Sequence, residues 1–109
     1  MANDFVTVAQ TSEIEEGKVK VVRVGDAPVG LTLVDGEYFA FADVCTHDDG
    51  PVAEGELDDT VIECPRHGAR FDIRTGRALS LPAVVPIPVY AVEVEGDVIK
   101  VSKKPVSNI

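Results

Sequence analysis

The chain has 109 residues, 45% of them hydrophobic, which is enough for one domain with its own core. Its formal net charge of −9 at pH 7 disfavours binding to nucleic acid or anionic lipid and favours a partner with a basic surface. The most apolar window, residues 81–92, is interrupted by prolines and too short to cross a bilayer, and the first residues lack a signal-peptide pattern, so we expect a cytoplasmic protein outside the membrane.

Short runs of alternating apolar and polar residues, separated by turn residues, predict an antiparallel all-β domain. Residues 12–17 are the one candidate helical turn, with Ser12 as its N-cap. The dipeptides Asp35-Gly36 and Gly96-Asp97 suit two-residue hairpin turns. The predicted strands are, in chain order, 18–24, 30–34, 37–42, 60–63, 71–74, 90–95 and 98–101.

The two cysteines and two histidines of the chain form two mixed pairs, Cys45-x-His47 and Cys64-x-x-His67. Each pair follows a predicted strand, so two loops at one end of a sheet can converge on a shared group. In a cytoplasmic protein such cysteines indicate metal binding or catalysis more than a disulfide. One thiolate and one imidazole per loop suit a two-iron cluster in which one iron takes both thiolates and the other both imidazoles.

Two other interpretations of these pairs are open. A structural zinc site uses the same donors, although it usually takes two cysteines from one turn and two histidines from another. A catalytic or redox-sensing cysteine needs one Cys/His pair and leaves the second unexplained.

The motif resembles the Rieske signature, and the resemblance extends over most of the chain. Cys64-Pro-Arg-His-Gly68 resembles the second cluster loop of that family, residues 71–76 its following turn, and Leu81-Pro82 its proline-bearing covering loop. The resemblance implies a Rieske-like antiparallel β-sandwich or barrel with a small cluster-binding subdomain, in a single domain over residues 1–109. Its cluster loops are expected at about 43–52 and 62–72 and its proline loop at about 80–84. It also implies one 2Fe-2S cluster bound by four ligands: Cys45, His47, Cys64 and His67.

High-potential Rieske proteins have an extra cysteine in each cluster loop, and a serine and a tyrosine whose hydroxyls bond to sulfur. This chain has Gly50 and Arg66 at the cysteine positions, and Ala69 and Phe71 at the hydroxyl positions. Hydrogen bonds to sulfur stabilise the reduced cluster, so their loss should move the potential toward the lower end of a range of about −150 to +300 mV. The chain therefore resembles the low-potential ferredoxins of Rieske non-haem iron oxygenase systems.

That resemblance implies a one-electron carrier that is not an enzyme by itself and binds no small-molecule substrate. A flavin-dependent ferredoxin reductase would supply electrons and a terminal oxygenase would receive them. The alternatives are the small Rieske subunit of an assimilatory nitrite reductase, an accessory ferredoxin in iron–sulfur assembly and, in a different class, a structural zinc-binding interaction module. The hypothetical docking rim consists of four residues beside the loops: Pro51, Val52, Pro82 and Ala83.

Overall fold

β-Strands joined by short turns make up most of the fold. A computed structural model of the chain describes residues 4–44, 50–65, 68–80 and 85–106. Those ranges contain a 3-10 helix at Thr11–Glu13 and no helix that is both long enough and apolar enough to span a membrane. Their strands are β1 (Phe5–Gln10), β2 (Val19–Val24), β3 (Ala27–Val34), β4 (Glu37–Ala42), β5 (Leu57–Asp58), β6 (Val61–Glu63), β7 (Arg70–Asp72), β8 (Ala78–Ser80), β9 (Val89–Tyr90), β10 (Val92–Glu95) and β11 (Val98–Ser102).

These strands form three sheets. Sheet A has the order β1-β11-β10, sheet B the order β2-β3-β4-β9 and sheet C the order β5-β6-β7-β8. Every pairing between these strands is antiparallel. The predicted all-β antiparallel fold is therefore confirmed.

Both predicted two-residue hairpins are present. Val34 pairs with Glu37 across the β3–β4 turn, in which Asp35 has φ 52° and Gly36 has φ 80°. Positive φ at both central residues is typical of the turn whose twist matches that of the flanking strands. Glu95 pairs with Val98 across the Gly96-Asp97 turn between β10 and β11.

The predicted helical turn at 12–17 with Ser12 as N-cap is wrong. The 3-10 helix lies earlier, at Thr11–Glu13, and the N–H of Gln10 donates to Oε1 of Glu13 at 2.8 Å. Ile14 ends the helix because its backbone is extended and its side chain is buried in the core.

The predicted strand at 90–95 is split between two sheets. β9 pairs with β4 in sheet B, whereas β10 pairs with β11 in sheet A. The chain changes sheets at Ala91, whose N–H donates to Oγ of Ser102 at 3.1 Å and whose carbonyl accepts from the N–H of Ser102 at 3.0 Å. The alternation of apolar and polar residues continues through Ala91, so the sequence alone predicts one strand where the structure has two.

Strand β4 contributes to two separate hydrophobic cores. Consecutive side chains of a strand point to opposite faces, so Ala40 packs with residues of sheets A and B while Phe41 packs with residues of sheet C. The core beneath sheet C includes Ile62, Cys64 and Phe71. Sheet B is thus the support on which the predicted cluster-binding region rests.

Candidate metal centre

Cys64 is the member of the predicted ligand set that the structure describes; Cys45, His47 and His67 lie outside the described residues. Cys64 directly follows β6, is 1% exposed and is not in a disulfide. Its N–H donates to the carbonyl of Ala69 at 2.7 Å, and its own carbonyl accepts from the N–H of Gly68 at 3.0 Å. These two hydrogen bonds join the residue that follows β6 to the residues that precede β7, and they hold Cys64 in the core.

The surroundings of Cys64 are apolar. Ala69 and Phe71 are fully buried in the same core, and Phe71 pairs with Ile62 across β6 and β7. Neither Ala69 nor Phe71 has a hydroxyl that could donate a hydrogen bond to sulfur. The described part of the second loop therefore excludes water from Cys64 without adding a side-chain donor at these two positions.

Hydrogen bonds join the bases of the three predicted loops. The N–H of Ala42, before the first loop, donates to the carbonyl of Pro88, after the proline loop, at 2.9 Å. The N–H of Arg70 donates to Oγ of Ser80 at 3.2 Å, which links the second loop to the start of the proline loop. Val52 packs in the same core as Cys64. The flanks of all three loops therefore meet in one region.

Asp43 has a role in this region that the sequence interpretation missed. Its Oδ1 accepts hydrogen bonds from the N–H groups of Val52 at 2.8 Å and Ala53 at 2.7 Å. Aspartate commonly bonds to backbone within a residue or two of itself, but these partners are nine and ten residues away. Only the folded structure reveals such a contact.

Charged side chains lie on sheet C and in the turn after β7. Glu63 and Arg70 form an ion pair across β6 and β7, with 3.2 Å between Oε1 and Nε. In the turn after β7, the hydrogen bond from the Arg74 guanidinium lowers the pKa of the Asp72 carboxyl.

A surface groove is lined by Glu56, Asp58, Val61, Glu63 and Arg70. Carboxylates outnumber cations in this groove, so it favours approach of a basic surface.

The predicted docking rim is wrong at Val52. That side chain is 0% exposed because it packs in the core with Cys64, and its amide is bound by Asp43. Pro51 is exposed as the rim requires. Pro82 and Ala83 lie outside the described residues.

The donor chemistry fits an iron–sulfur cluster. Cys64 is a buried thiol in an apolar core, and the sequence also contains one further cysteine and two histidines, so the chain has the types of donor that a Rieske-type group uses. Within the described ranges, which hold one of the four predicted ligands, no group of three or more His, Cys, Asp and Glu side chains is arranged around a metal ion. The Rieske [2Fe-2S] domain family matches residues 4–91 of the chain.

The chain belongs to the Rieske [2Fe-2S] domain family. The Rieske chain carries one 2Fe-2S cluster, as the motif predicted, and the family match favours that cluster over the structural zinc site.

Two relatives are similar to the Rieske chain over most of its length. It is 39% identical over 90 residues to the ferredoxin component of biphenyl 2,3-dioxygenase from Rhodococcus jostii strain RHA1, a match covering 83% of this chain and 84% of the relative. It is 40% identical over 102 residues to the ferredoxin CarAc of Metapseudomonas resinovorans, covering 92% and 95%. The predicted likeness to a Rieske-type ferredoxin of an oxygenase system is confirmed.

Solved structures agree with this fold. One chain of the complex of reduced oxygenase and oxidized ferredoxin in carbazole 1,9a-dioxygenase matches with a TM-score of 0.89 and 36% identity, covering 96% of this chain and 98% of that chain. The Rieske-like all-β architecture is therefore confirmed together with its antiparallel sheets.

Proposed function

We propose that the Rieske chain is a one-electron carrier of the cytoplasm, a single domain over residues 1–109 that takes electrons from a flavin-dependent ferredoxin reductase and delivers them to a terminal non-haem iron oxygenase. The observation that carries the proposal is that the relatives matched across most of their own length are named as ferredoxins, one of them a dioxygenase component. The chain is not an enzyme by itself. Its contribution is to bind the cluster, keep water from the buried ligand and present a surface to its partners.

The ligand set in this proposal is Cys45 and Cys64 on one iron and His47 and His67 on the other. When bound, the cluster accepts and releases one electron. The buried position of Cys64 at the end of β6 supports its role as a thiolate ligand. The buried, hydroxyl-free Ala69 and Phe71 support a potential at the lower end of the Rieske range, because side-chain O–H groups that would stabilise added negative charge are missing there.

Single substitutions test the ligand set. Cys45→Ser and Cys64→Ser, and alanine at His47 or His67, are each expected to lose most of the iron and acid-labile sulfide per chain. Glu63→Gln is the matched control, because Glu63 adjoins Cys64 in the chain but is outside the ligand set. Circular dichroism checks that each variant is folded. Full iron and sulfide in any one of the four ligand variants would contradict the assignment of that residue.

Exposed apolar side chains beside the proline loop support an oxygenase-docking surface. Leu79 and Val85 are 47% and 53% exposed and lie on either side of residues 81–84, while Pro51 is exposed beside the first loop. We include these three residues in the docking surface in place of the buried Val52. Exposed apolar side chains grouped in this way are typical of a surface that a partner protein covers on docking.

A pair of matched substitutions tests the docking surface. Val85→Glu is expected to slow electron transfer from the reduced Rieske chain to an oxygenase of the dioxygenase class, measured by stopped-flow absorbance. Val94→Glu is the control, because Val94 is 44% exposed but lies on β10 of sheet A. Equal rates for the two variants would contradict the placement of this surface, and no transfer from the unmodified chain would contradict the carrier function.

A further inference from the structure

Hydrogen bonds of Asp43 join the two ends of the first predicted cluster loop. Its N–H donates to the carbonyl of Pro28 at 3.0 Å, which fixes its backbone at the start of β3 in sheet B. Its Oδ1 accepts from the N–H groups of Val52 and Ala53 at 2.8 and 2.7 Å. One residue therefore connects sheet B to the segment that returns from the loop.

The two amides that Asp43 binds lie where an acceptor is needed. Val52 and Ala53 are buried in the core that contains Cys64. A buried N–H without an acceptor is costly, and a carboxylate acceptor gives a stronger bond than a neutral one. Both bonds go to one oxygen atom, so they fix the position of this carboxylate as well as that of the two amides.

The contact also closes a loop. With Asp43 and Val52 joined, residues 44–51 begin and end at a fixed separation, which reduces the conformations open to the segment that contains Cys45 and His47. Ligands that are held near their bound arrangement lose less conformational entropy when they bind.

We propose that Asp43 is a positioning residue for the cluster, acting by presetting the separation of the two ends of the loop that carries Cys45 and His47. This inference rests on the proposed ligand set, because Asp43 acts through those two residues and not as a ligand itself.

Two substitutions separate the hydrogen bonds from the charge. Asp43→Asn removes the charge but keeps an Oδ1 acceptor, whereas Asp43→Ala removes both. Any effect of the lost charge on the reduction potential is common to the two variants. The difference between them therefore reports the contact with Val52 and Ala53.

The test uses the full chain with its cluster. Hydrogen exchange over residues 50–56 is measured by mass spectrometry, the rate of iron loss to a chelator by absorbance, and the cluster environment by electron paramagnetic resonance and voltammetry. We expect Asp43→Ala to exchange about tenfold faster at these amides and to lose iron several-fold faster than Asp43→Asn, with a resonance spectrum and potential that differ from those of Asp43→Asn.

Glu13→Ala is the matched control for a lost carboxylate. Glu13 also accepts one backbone N–H, at 2.8 Å from Gln10, but it lies in the 3-10 helix beside sheet A. We expect its iron loss, spectrum and potential to match the unmodified chain. Asp43→Ser takes the place of Asp43→Ala if circular dichroism shows that the alanine variant is unfolded, because a serine hydroxyl is too short to reach both amides in the same way.

The proposal is overturned if the alanine and asparagine variants agree in iron loss, spectrum and potential, or if Glu13→Ala behaves like Asp43→Ala. Cys45→Ser distinguishes this failure from failure of the ligand set. If Cys45→Ser loses its iron while the two Asp43 variants agree, the positioning role alone is wrong. If Cys45→Ser keeps its iron, the ligand set is wrong and the positioning role with it.

Discussion

Gly76 lies at the contact between the turn after β7 and the segment that follows the proline loop. Its φ is 84°, and its carbonyl accepts from the N–H of Ile87 at 2.8 Å. A Cβ at this position would overlap the carbonyl oxygen of Ile87. Gly76→Ala is therefore expected to destabilise the fold and to separate this turn from the proline-loop segment.

Three effects set the size of the loss. An alanine with left-handed backbone costs about 1–2 kcal/mol. A broken hydrogen bond to Ile87 costs about 0.5–1.5 kcal/mol, and displacing the fully buried Ile87 side chain about 1–3 kcal/mol. Together we expect a loss of about 2.5–6.5 kcal/mol, a large share of the about 5–15 kcal/mol that stabilises a typical domain.

Gly96→Ala provides the matched comparison. Gly96 has φ 61°, but nothing lies within 4 Å of the Cβ that alanine would add. Gly96→Ala is therefore expected to lower the free energy of unfolding by only about 1–2 kcal/mol, the cost of placing alanine in a left-handed backbone conformation. Urea unfolding of both cluster-loaded variants, followed by circular dichroism, measures the difference. Equal free energies of unfolding for the two variants would refute the proposed contact between Gly76 and Ile87.

Three further substitutions test the core and the electrostatics. Thr32 is fully buried and its Oγ1 donates to the carbonyl of Lys18 at 2.6 Å, so Thr32→Val should lower the free energy of unfolding by about 0.5–1.5 kcal/mol in urea titrations, and a change within error would contradict this contact. Phe71→Tyr adds a hydroxyl in the core that contains Cys64 and should raise the reduction potential measured by voltammetry. An unchanged or lowered potential would contradict the proposal that the missing hydroxyl at this position lowers the reduction potential. Burial raises the pKa of the Tyr90 hydroxyl in the folded protein. In the unfolded chain the hydroxyl loses its proton at about pH 10, whereas in the folded protein it keeps the proton to a higher pH. The contribution of Tyr90 to the free energy of unfolding is therefore present below about pH 10 and lost as the pH rises further. Tyr90→Phe should lose stability less steeply between pH 10 and pH 11 in urea titrations, and parallel curves would contradict the shift.

Local chemistry made part of the fold predictable. The turns Asp35-Gly36 and Gly96-Asp97 were predictable because the backbone conformation of a tight turn selects its residues directly. The family was predictable because the spacing of two Cys/His pairs has a specific chemical use. Strand β1, at Phe5–Gln10, was missed although its sequence alternates in the same way as the other strands.

The features that could not be predicted depend on contacts between distant residues. Val52 follows a proline in a segment with turn residues, and its burial results from packing against the core that contains Cys64. The hydrogen bonds that Asp43 accepts from Val52 and Ala53, and the change of sheet at Ala91, likewise require partners that lie about ten residues away in the chain. No pattern of local alternation or turn chemistry contains that information.

The two proposed histidine ligands, His47 and His67, can be tested directly by electron paramagnetic resonance. The chain has two histidines, so labelling with 15N-histidine marks His47 and His67 and nothing else. Pulsed electron paramagnetic resonance of the reduced protein then measures whether the unpaired electron is coupled to those nitrogens. We predict strong hyperfine couplings to two 15N nuclei in the labelled protein, and couplings to two 14N nuclei in their place when the same protein is prepared with unlabelled histidine. A reduced cluster with no coupling to histidine nitrogen would contradict the Rieske ligand set.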